Sequence, residues 1–388
     1  MKKIENFITL DEETLKDLNK TADLIIEDMG KHSLDYDSLE KVFLRIIDAQ
    51  KIVRYSRVDK LVPMKRETML AVALDFFQSI DNEFYRKAID TILNQNEKIK
   101  MRLYNFHLTK KTDERDEFGV QIYSDSASVQ TENGHSTVFV PLQKKLKKDH
   151  AEKLLNKEDG SLDDLYAVVH EIAHLFDLEE DANSSITAED IVKGEPHKRP
   201  KTVTGDLLKE GTSIAFEFLL SNYLLSKGGY PQSVIVDHDI HNIHNAVDKA
   251  RILSVEFELA RIKKSKGKIT NVDIDEMRKK QNISVRYARK LAKVINNNRS
   301  GPIFRNRYVM GALIASTIVN MYEEDKETGT KRIKEYVKAS KSGDFQGALD
   351  ILGIEYSEQG LNKMVDNLNK RKRKMFNQKG YEAEVEFL

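Results

Sequence analysis

The chain has 388 residues, 40% of them hydrophobic, enough to bury a sizeable core in one large domain or two to three average ones. Its 63 basic residues balance 63 acidic ones, so no global field steers it towards nucleic acid or an anionic membrane, and neither partner is expected. Cysteine is absent, which excludes disulfides, thiolate metal sites and cysteine nucleophiles and leaves His, Asp and Glu as the side chains able to hold a metal. No window approaches the roughly 20 apolar residues that span a bilayer, and MKKIENFITLDEE turns acidic before any signal-like apolar segment forms. The expectation is a soluble cytoplasmic protein, with signal-less export as the variation; oligomeric state is left open.

With six prolines and apolar residues recurring at three- and four-residue spacing between charged runs, most of the sequence reads as helix. Residues 12–30, 35–57, 65–80 and 82–104 are predicted as successive antiparallel helices, and 1–110 as an N-terminal helical region. Residues 111–388 form the second region, packed with the first as one continuous unit. Residues 118–142, FGVQIYSDSASVQTENGHSTVFVPL, break the pattern: β-branched and aromatic residues alternate with polar ones around Asn133-Gly134, predicting a hairpin with strands near 119–130 and 136–141. Ser161, with Asp164 three residues on, is read as the N-cap of a helix reaching about Leu178.

KGEPHKRPKTVT (193–204) is predicted as a surface loop. A helix follows from about Asp206 to Lys227, stopped by Gly228-Gly229. Segments 240–264, 271–297, 303–324, 328–340 and 358–373 complete a mainly α chain with a small β element. The basic run Lys370-Arg371-Lys372-Arg373-Lys374 is read as a solvated helix end.

The chemistry concentrates in AVVHEIAHLFD (167–177). On a helix, His170 and His174 stand one above the other and can present both imidazoles to one point, while Glu171 lies about 100° round the helix, within reach of a water held there. Two nitrogen ligands and a carboxylate that takes a proton from the bound water are what zinc hydrolysis needs. The surrounding residues, Leu165, Tyr166, Val168, Val169, Ile172, Ala173, Leu175 and Phe176, make the helix a buried one. Two histidines and a glutamate there are costly without a common partner. Catalytic zinc takes a third protein ligand, and DLLKEGTSIAFEFLLSNYLL supplies Glu210 and Glu217 two turns apart on one face. Glu210 is read as the third ligand and Glu217 as the carboxylate that fixes a ligand histidine's tautomer, with the reverse order left open.

These two helices resemble those of the thimet oligopeptidase and oligoendopeptidase F family of zinc peptidases, in which HExxH is followed by E-x-P-S-x-x-x-E. Residues Glu210-Gly211-Thr212-Ser213-Ile214-Ala215-Phe216-Glu217 are similar to that second pattern, with Thr212 in place of proline. The resemblance implies a zincin-like multi-helix fold of the gluzincin type, one Zn²⁺ per chain, Glu210 as ligand and Glu217 as its support. GHSTVFVPL (134–142) resembles the family strand beside the zinc helix, which implies an edge for pairing with extended substrate backbone. Pro302 to Gly311 resembles the P-F-Y…Y-A-T-G segment, and 336–357 the C-terminal stretch, so the likeness covers roughly residues 115 to 370. INNNRSGPIF (295–304) departs from the family, lacking the histidine and tyrosine that stabilise the oxyanion. Tyr308 is the candidate oxyanion donor in their place, with Arg305 and Arg307 as charged substitutes. The chain is also much shorter than family members, implying a reduced or more open substrate channel.

His238, His241 and His244 recur at three-residue spacing with no carboxylate evidently buried among them; His241 and His244 are candidate substrate contacts, with ordinary hydrogen-bonded histidines as the alternative. Asp177 is a candidate for orienting a metal ligand, or a helix-end charge. The expected function is zinc-dependent metalloendopeptidase action on peptides or an extended protein segment. The alternatives are a selective exported effector or toxin protease and a zinc-containing binding protein with weak catalysis.

Overall fold

The computed structural model describes residues 62–107, 114–144 (apart from 118, 125, 133 and 134), 159–177, 203–281, 285–296, 303–342 and 344–378, with Lys41 and Arg45 as isolated helical positions. The expected helices at 12–30 and 35–57 and the loop at 193–204 otherwise fall outside the described residues. Within them the chain is mainly helical with a small sheet, as expected.

In chain order, a two-residue strand β1 (Pro63–Met64) leads into α1 (Arg66–Ile80) and α2 (Asn82–Ile92), followed by β2 (Ile99–Asn105), β3 (Ser128–Glu132) and β4 (His135–Leu142). The short β5 (Gly160–Ser161) then opens α3 (Leu162–Phe176), and α4 (Val203–Lys227) and α5 (Gln232–Lys266) follow. The remaining helices are α6 (Asn271–Gln281), α7 (Val285–Asn296), α8 (Ile303–Glu324), α9 (Lys326–Ser342), α10 (Phe345–Ile351) and α11 (Glu358–Phe376).

The single helix expected over 82–104 is instead a helix and a strand. The turn between them is set by Asn94, which takes a left-handed φ of 51° and accepts the Met101 amide at 2.7 Å, and Ile99–Asn105 then pairs in parallel with β4 from Ile99↔Ser136 to Asn105↔Leu142. The hairpin is present with a two-residue connection between Glu132 and His135, but its first strand occupies 128–132 rather than 119–130. Sheet order is β2-β4-β3, so β4 is the central strand. Strand β4 therefore has both backbone edges paired over Ser136–Phe139 and offers no edge to an extended ligand there, a correction to the reading above; β3 is an outer strand instead.

The sheet is joined to α3 at its N-terminus. Ser161 caps that helix, accepting from the Asp164 amide and donating to the Asp164 carboxylate at 2.8 Å, and the same carboxylate accepts the Gln143 amide just past β4. From there α3 is buried on nearly every side, as a helix apolar around its circumference must be. Phe76 and Phe77 of α1, Phe84 of α2, Phe176 of α3 and Phe216 of α4 interlock with ring centroids 4.8–6.2 Å apart. Aromatic pairs at such separations contribute about 0.5–1.5 kcal/mol beyond their burial, so the floor beneath α3 and α4 is stiff.

Helix α8 lies along α4, and two glycines set how close it comes. A Cβ on Gly211 would stand 2.5 Å from Ile314 Cγ2, and one on Gly311 would stand 3.0 Å from Glu210 Cβ. Both lie at the level of Glu210, where a larger residue would drive the helices apart.

The long α5 has two halves. Its first half joins the main core through Val234, Ile235, Ile240, Ile243 and Val247. Its second half packs with α6 and α7 around a separate small core of Val255, Leu259, Ile269, Ile274, Met277, Ala288, Leu291 and Ala292. The stretch expected as one helix over 271–297 is thus two. The tail run is also not simply solvated: Arg371 is 1% exposed and Lys372 7%, because α11 turns both inward, while Lys370 and Lys374 face outward. Among the described residues no helix is long and apolar enough to cross a membrane.

Candidate metal centre

Helices α3 and α4 pack side by side and place the site between them. His170 and His174, one turn apart on α3, bring their Nε2 atoms to 3.1 Å from each other with the rings at 85°. Two nitrogens each about 2.0–2.1 Å from a tetrahedral zinc stand about 3.3 Å apart. Glu210 of α4 completes the group: one donor atom from each of His170, His174 and Glu210 lies within 4.8 Å of the others, with Glu210 Oε2 3.8 Å from His170 Nε2. The residue types and their convergence fit a small, borderline-soft divalent cation.

Glu217, two turns along α4, stands behind His170 and meets its Nδ1 at 2.5 Å, leaving Nε2 to face Glu210 and His174. A carboxylate on the far nitrogen is the usual way a ligand imidazole is held in tautomer and orientation. Glu217 is itself held from the other side. His238 Nε2 meets its second oxygen at 2.5 Å and the Asn242 amide donates to that oxygen at 2.7 Å. His238 in turn stacks on Tyr166 of α3, centroids 3.5 Å apart.

The sequence reading singled out His238 but saw no carboxylate buried with it; Glu217 is that carboxylate, brought there by α4 packing on α5. Asn242 was missed. The available signal was that His238 and Asn242 stand four apart on one helical face opposite a lone buried acid.

Burial and charge then divide the carboxylates by role. Burial pushes Glu217 up, but hydrogen bonds from His170 and His238 outweigh it and hold the group well below the ordinary range, so it stays ionised. Glu171 is pushed up to about 7 by burial, with His170 drawing it down and Glu210 and Glu217 adding repulsion. Its carboxylate makes no hydrogen bond with another described residue. An acid poised near neutrality beside a ligand set is a recurrent mark of proton-transfer sites. Burial opposes an imidazolium at His170, yet Glu217, Glu171 and Glu210 raise it to about 10. Burial and the neighbouring His170 push His174 well below its ordinary value. Three carboxylates around two imidazoles make a pocket that favours positive charge.

The other expected residues are more dispersed. Arg307 in the second turn of α8 approaches Glu210 Oε1 at 3.6 Å and donates to the Tyr308 hydroxyl at 2.8 Å, so both flank the carboxylate end of the site. Lys249 of α5 stands 5.8 Å from the centre of the Tyr308 ring. Arg305 lies on α8 with its side chain outside the described residues. His241 is partly exposed on α5, and His244 is half-buried near Lys372, Asp248 and Arg251. Asp177 caps α3 and is fully buried; its carboxylate lies beside the hydroxyls of Thr212 and Ser340 and makes no hydrogen bond to either histidine.

No protein-family model matches the sequence, and no curated protein does. Two solved structures are similar in fold. One is a provisionally assigned peptidase from Chlamydophila abortus, with TM-score 0.54 at 10% identity over 95% of this chain and 56% of that one. The other is a provisionally assigned oligoendopeptidase F from Bacillus anthracis str. Ames, with TM-score 0.49 at 11% identity over 95% and 57%. The chain thus spans little more than half the length of the structures it matches. The first likeness is one of fold, between this mainly helical chain with its small sheet and a provisionally assigned peptidase.

Proposed function

We propose that this chain is a metal-dependent endopeptidase whose centre is His170, His174 and Glu210, with Zn²⁺ as the metal and Glu171 as the proton-transfer group. The observation that carries the reading is the convergence of three ligand atoms within 4.8 Å on buried helices, with Glu171 directly beside them and Glu217 behind His170. The peptidase-like fold supports it independently.

A zinc ion, when bound, supplies Lewis acidity towards water and the scissile carbonyl. Everything else comes from the chain. Glu217 keeps Nδ1 of His170 engaged so that Nε2 remains a donor to the metal. Glu171 accepts a proton from the attacking water and returns it to the leaving amine, a shuttle suited to a carboxyl held near 7 by burial. Tyr308 and Arg307, paired with each other beside Glu210, are placed to donate to developing negative charge on the carbonyl oxygen. Since β4 is paired on both sides over Ser136–Phe139, the outer strands β2 and β3 are the edges open to an extended substrate backbone, and β3 is the one joined to β4 as a hairpin.

The test is digestion of a diverse peptide library read by mass spectrometry, with wild type, chelator-treated and Glu171→Gln protein at matched zinc content. The expected result is cleavage by wild type alone. Zinc bound at one per chain with no cleavage in any sample would move the reading to a zinc-bearing binding protein.

A further inference from the structure

The overall charge balance conceals a strongly asymmetric stretch. Between Glu276 and Glu323 the sequence holds ten arginines and lysines and no aspartate or glutamate. The acids that balance these ten cations all lie outside the stretch in sequence, so along it the charge is of one sign.

The fold gives the stretch a shape. Helix α7 turns Ala288, Leu291 and Ala292 into the small core that it shares with α5 and α6. Its opposite face presents Arg286, Arg289, Lys290 and Lys293, all exposed and spaced as one helical stripe. None of the four pairs with an acidic group among the described residues. The last cation of the same acid-free stretch is Arg307, 3.6 Å from Glu210 at the candidate metal centre. Six residues separate Asn296, the end of α7, from Ile303, the start of α8, so the two helix ends stand no more than about 25 Å apart. An extended peptide of about 10 residues covers that distance. With the helical rise from Lys293 to Asn296 and from Ile303 to Arg307 added, the near end of the stripe stands within about 36 Å of Arg307, the span of one extended segment of about 11 residues.

We infer that the outer face of α7 is a docking surface for an acidic segment of the polypeptide substrate, whose neighbouring residues enter the site past Arg307. The inference rests on the peptidase reading for the identity of the partner, but not for the existence of the surface. An acidic polypeptide is favoured over other polyanions because the cationic stretch leads to a site that fits peptide hydrolysis. It is favoured over an anionic membrane because the described part of the face is cationic without exposed apolar residues to enter a bilayer.

The experiment measures fluorescence anisotropy of a labelled short polyglutamate and a neutral glycine-serine peptide against the full chain. A labelled single-stranded oligonucleotide and phosphatidylserine-containing vesicles serve as the other polyanions. The variant replaces Arg286, Arg289, Lys290 and Lys293 by Glu, and its circular dichroism and melting temperature report that the arm still folds. Wild type should bind polyglutamate in preference to all other probes, more weakly as salt is raised, and the variant should lose at least about tenfold in affinity. Hydrolysis supplies the second readout. For a peptide with a glutamate run about 10 residues from the cleaved bond, the folded variant should raise KM with kcat unchanged, and for a short neutral peptide it should match wild type.

Equal binding by a folded variant, or no preference for polyglutamate over the neutral peptide, overturns the inference. Tighter binding of the oligonucleotide or vesicles overturns the assignment of the partner. Charge-dependent polyglutamate binding by a chain that cleaves nothing supports the surface and refutes the peptidase reading, so the two failures are distinguishable. If the fourfold variant does not fold, Arg289→Gln and Lys293→Gln decide between the same outcomes through smaller losses.

Discussion

Two buried clusters of charge share α4 and α5, and they are built differently. In the first, Arg371 of α11 is matched by acceptors on every side: Nε donates to Asp239 at 2.8 Å, and Nη1 to Asn222 at 2.7 Å and Glu323 at 2.9 Å. Nη2 donates to the Phe218 carbonyl at 2.9 Å and to Asp239 as well, and Asp239 also accepts from Ser221. Cation and anions close on one another, which suits a group that ties α11 to α4, α5 and α8. In the second cluster, Glu171, Glu210 and Glu217 surround two imidazoles whose Nε2 atoms converge with Glu210 on one point, and the carboxylate of Glu171 makes no hydrogen bond with another described residue. A network closed on itself holds helices together, whereas donor atoms that converge on one point are suited to hold something else.

The comparison is tested most severely by two substitutions with opposite signatures. Glu171→Gln should lower kcat by about 10²–10⁴-fold with the melting temperature scarcely changed, since it removes a proton acceptor and not a tether; stopped assays on a cleaved library peptide would read it. The wild-type kcat/KM should fall on acidification, because Glu171 must be ionised to accept a proton. Its acid limb should lie below the value of about 7 held by burial, since a bound cation draws that value down.

Arg371→Met should do the reverse. It strands the buried Asp239, while Glu323 keeps Lys374, costing about 3–5 kcal/mol of stability by denaturant unfolding, and the metal affinity of the folded protein is unchanged. A loss of metal affinity larger than the loss of stability would erase the distinction between the two clusters.

A smaller effect concerns the residue that joins them. His238 bonds Glu217 on one side and stacks on Tyr166, whose hydroxyl meets Ser221 at 2.8 Å on the other. His238→Leu should weaken metal binding by about 10–100-fold, with His238→Gln recovering part of it. Competition with a chromophoric chelator measures both.

The smallest effect is expected at Asp177. Burial lifts its carboxyl to about 8 from 3.8, with Thr212 and Ser340 partly offsetting the shift, so the folded chain keeps a proton that the unfolded chain releases. Stability from this group is fully present below about pH 4, declines as pH rises and levels off above about 8. Asp177→Asn should therefore melt with wild type near pH 4 and a few degrees above it near pH 8, in thermal scans across that range.

The legible parts of the sequence were those whose meaning is local. HEIAH on an apolar helix, the Ser161 cap with Asp164, and Glu210 and Glu217 at a two-turn interval each follow from helical geometry and the cost of burying charge. The same local logic failed where pairing or packing decided. Residues 99–105 have helix-compatible spacing but join β4, because Asn94 turns the chain and a parallel neighbour completes their hydrogen bonds. Strand β4, expected at an edge, lies in the middle for the same reason. Arg371 and Lys372 look like a solvated run in sequence and are buried in the fold, because α11 docks where Arg371 meets acceptors that sit 48 to 153 residues away along the chain and carries Lys372 inward beside it.

By itself, then, the sequence determined a mainly helical chain with a histidine pair, a neighbouring acid and two further acids at fixed helical intervals, since a helix sets those relations within a few turns. Only the tertiary structure decided that Glu210 faces the pair while Glu217 stands behind His170, that His238 and Asn242 hold Glu217, and that β3 rather than β4 is an outer strand. Those are relations between elements, fixed by how α4 packs on α3, α5 and α8, with Gly211 and Gly311 letting α4 and α8 approach, and no local period encodes them.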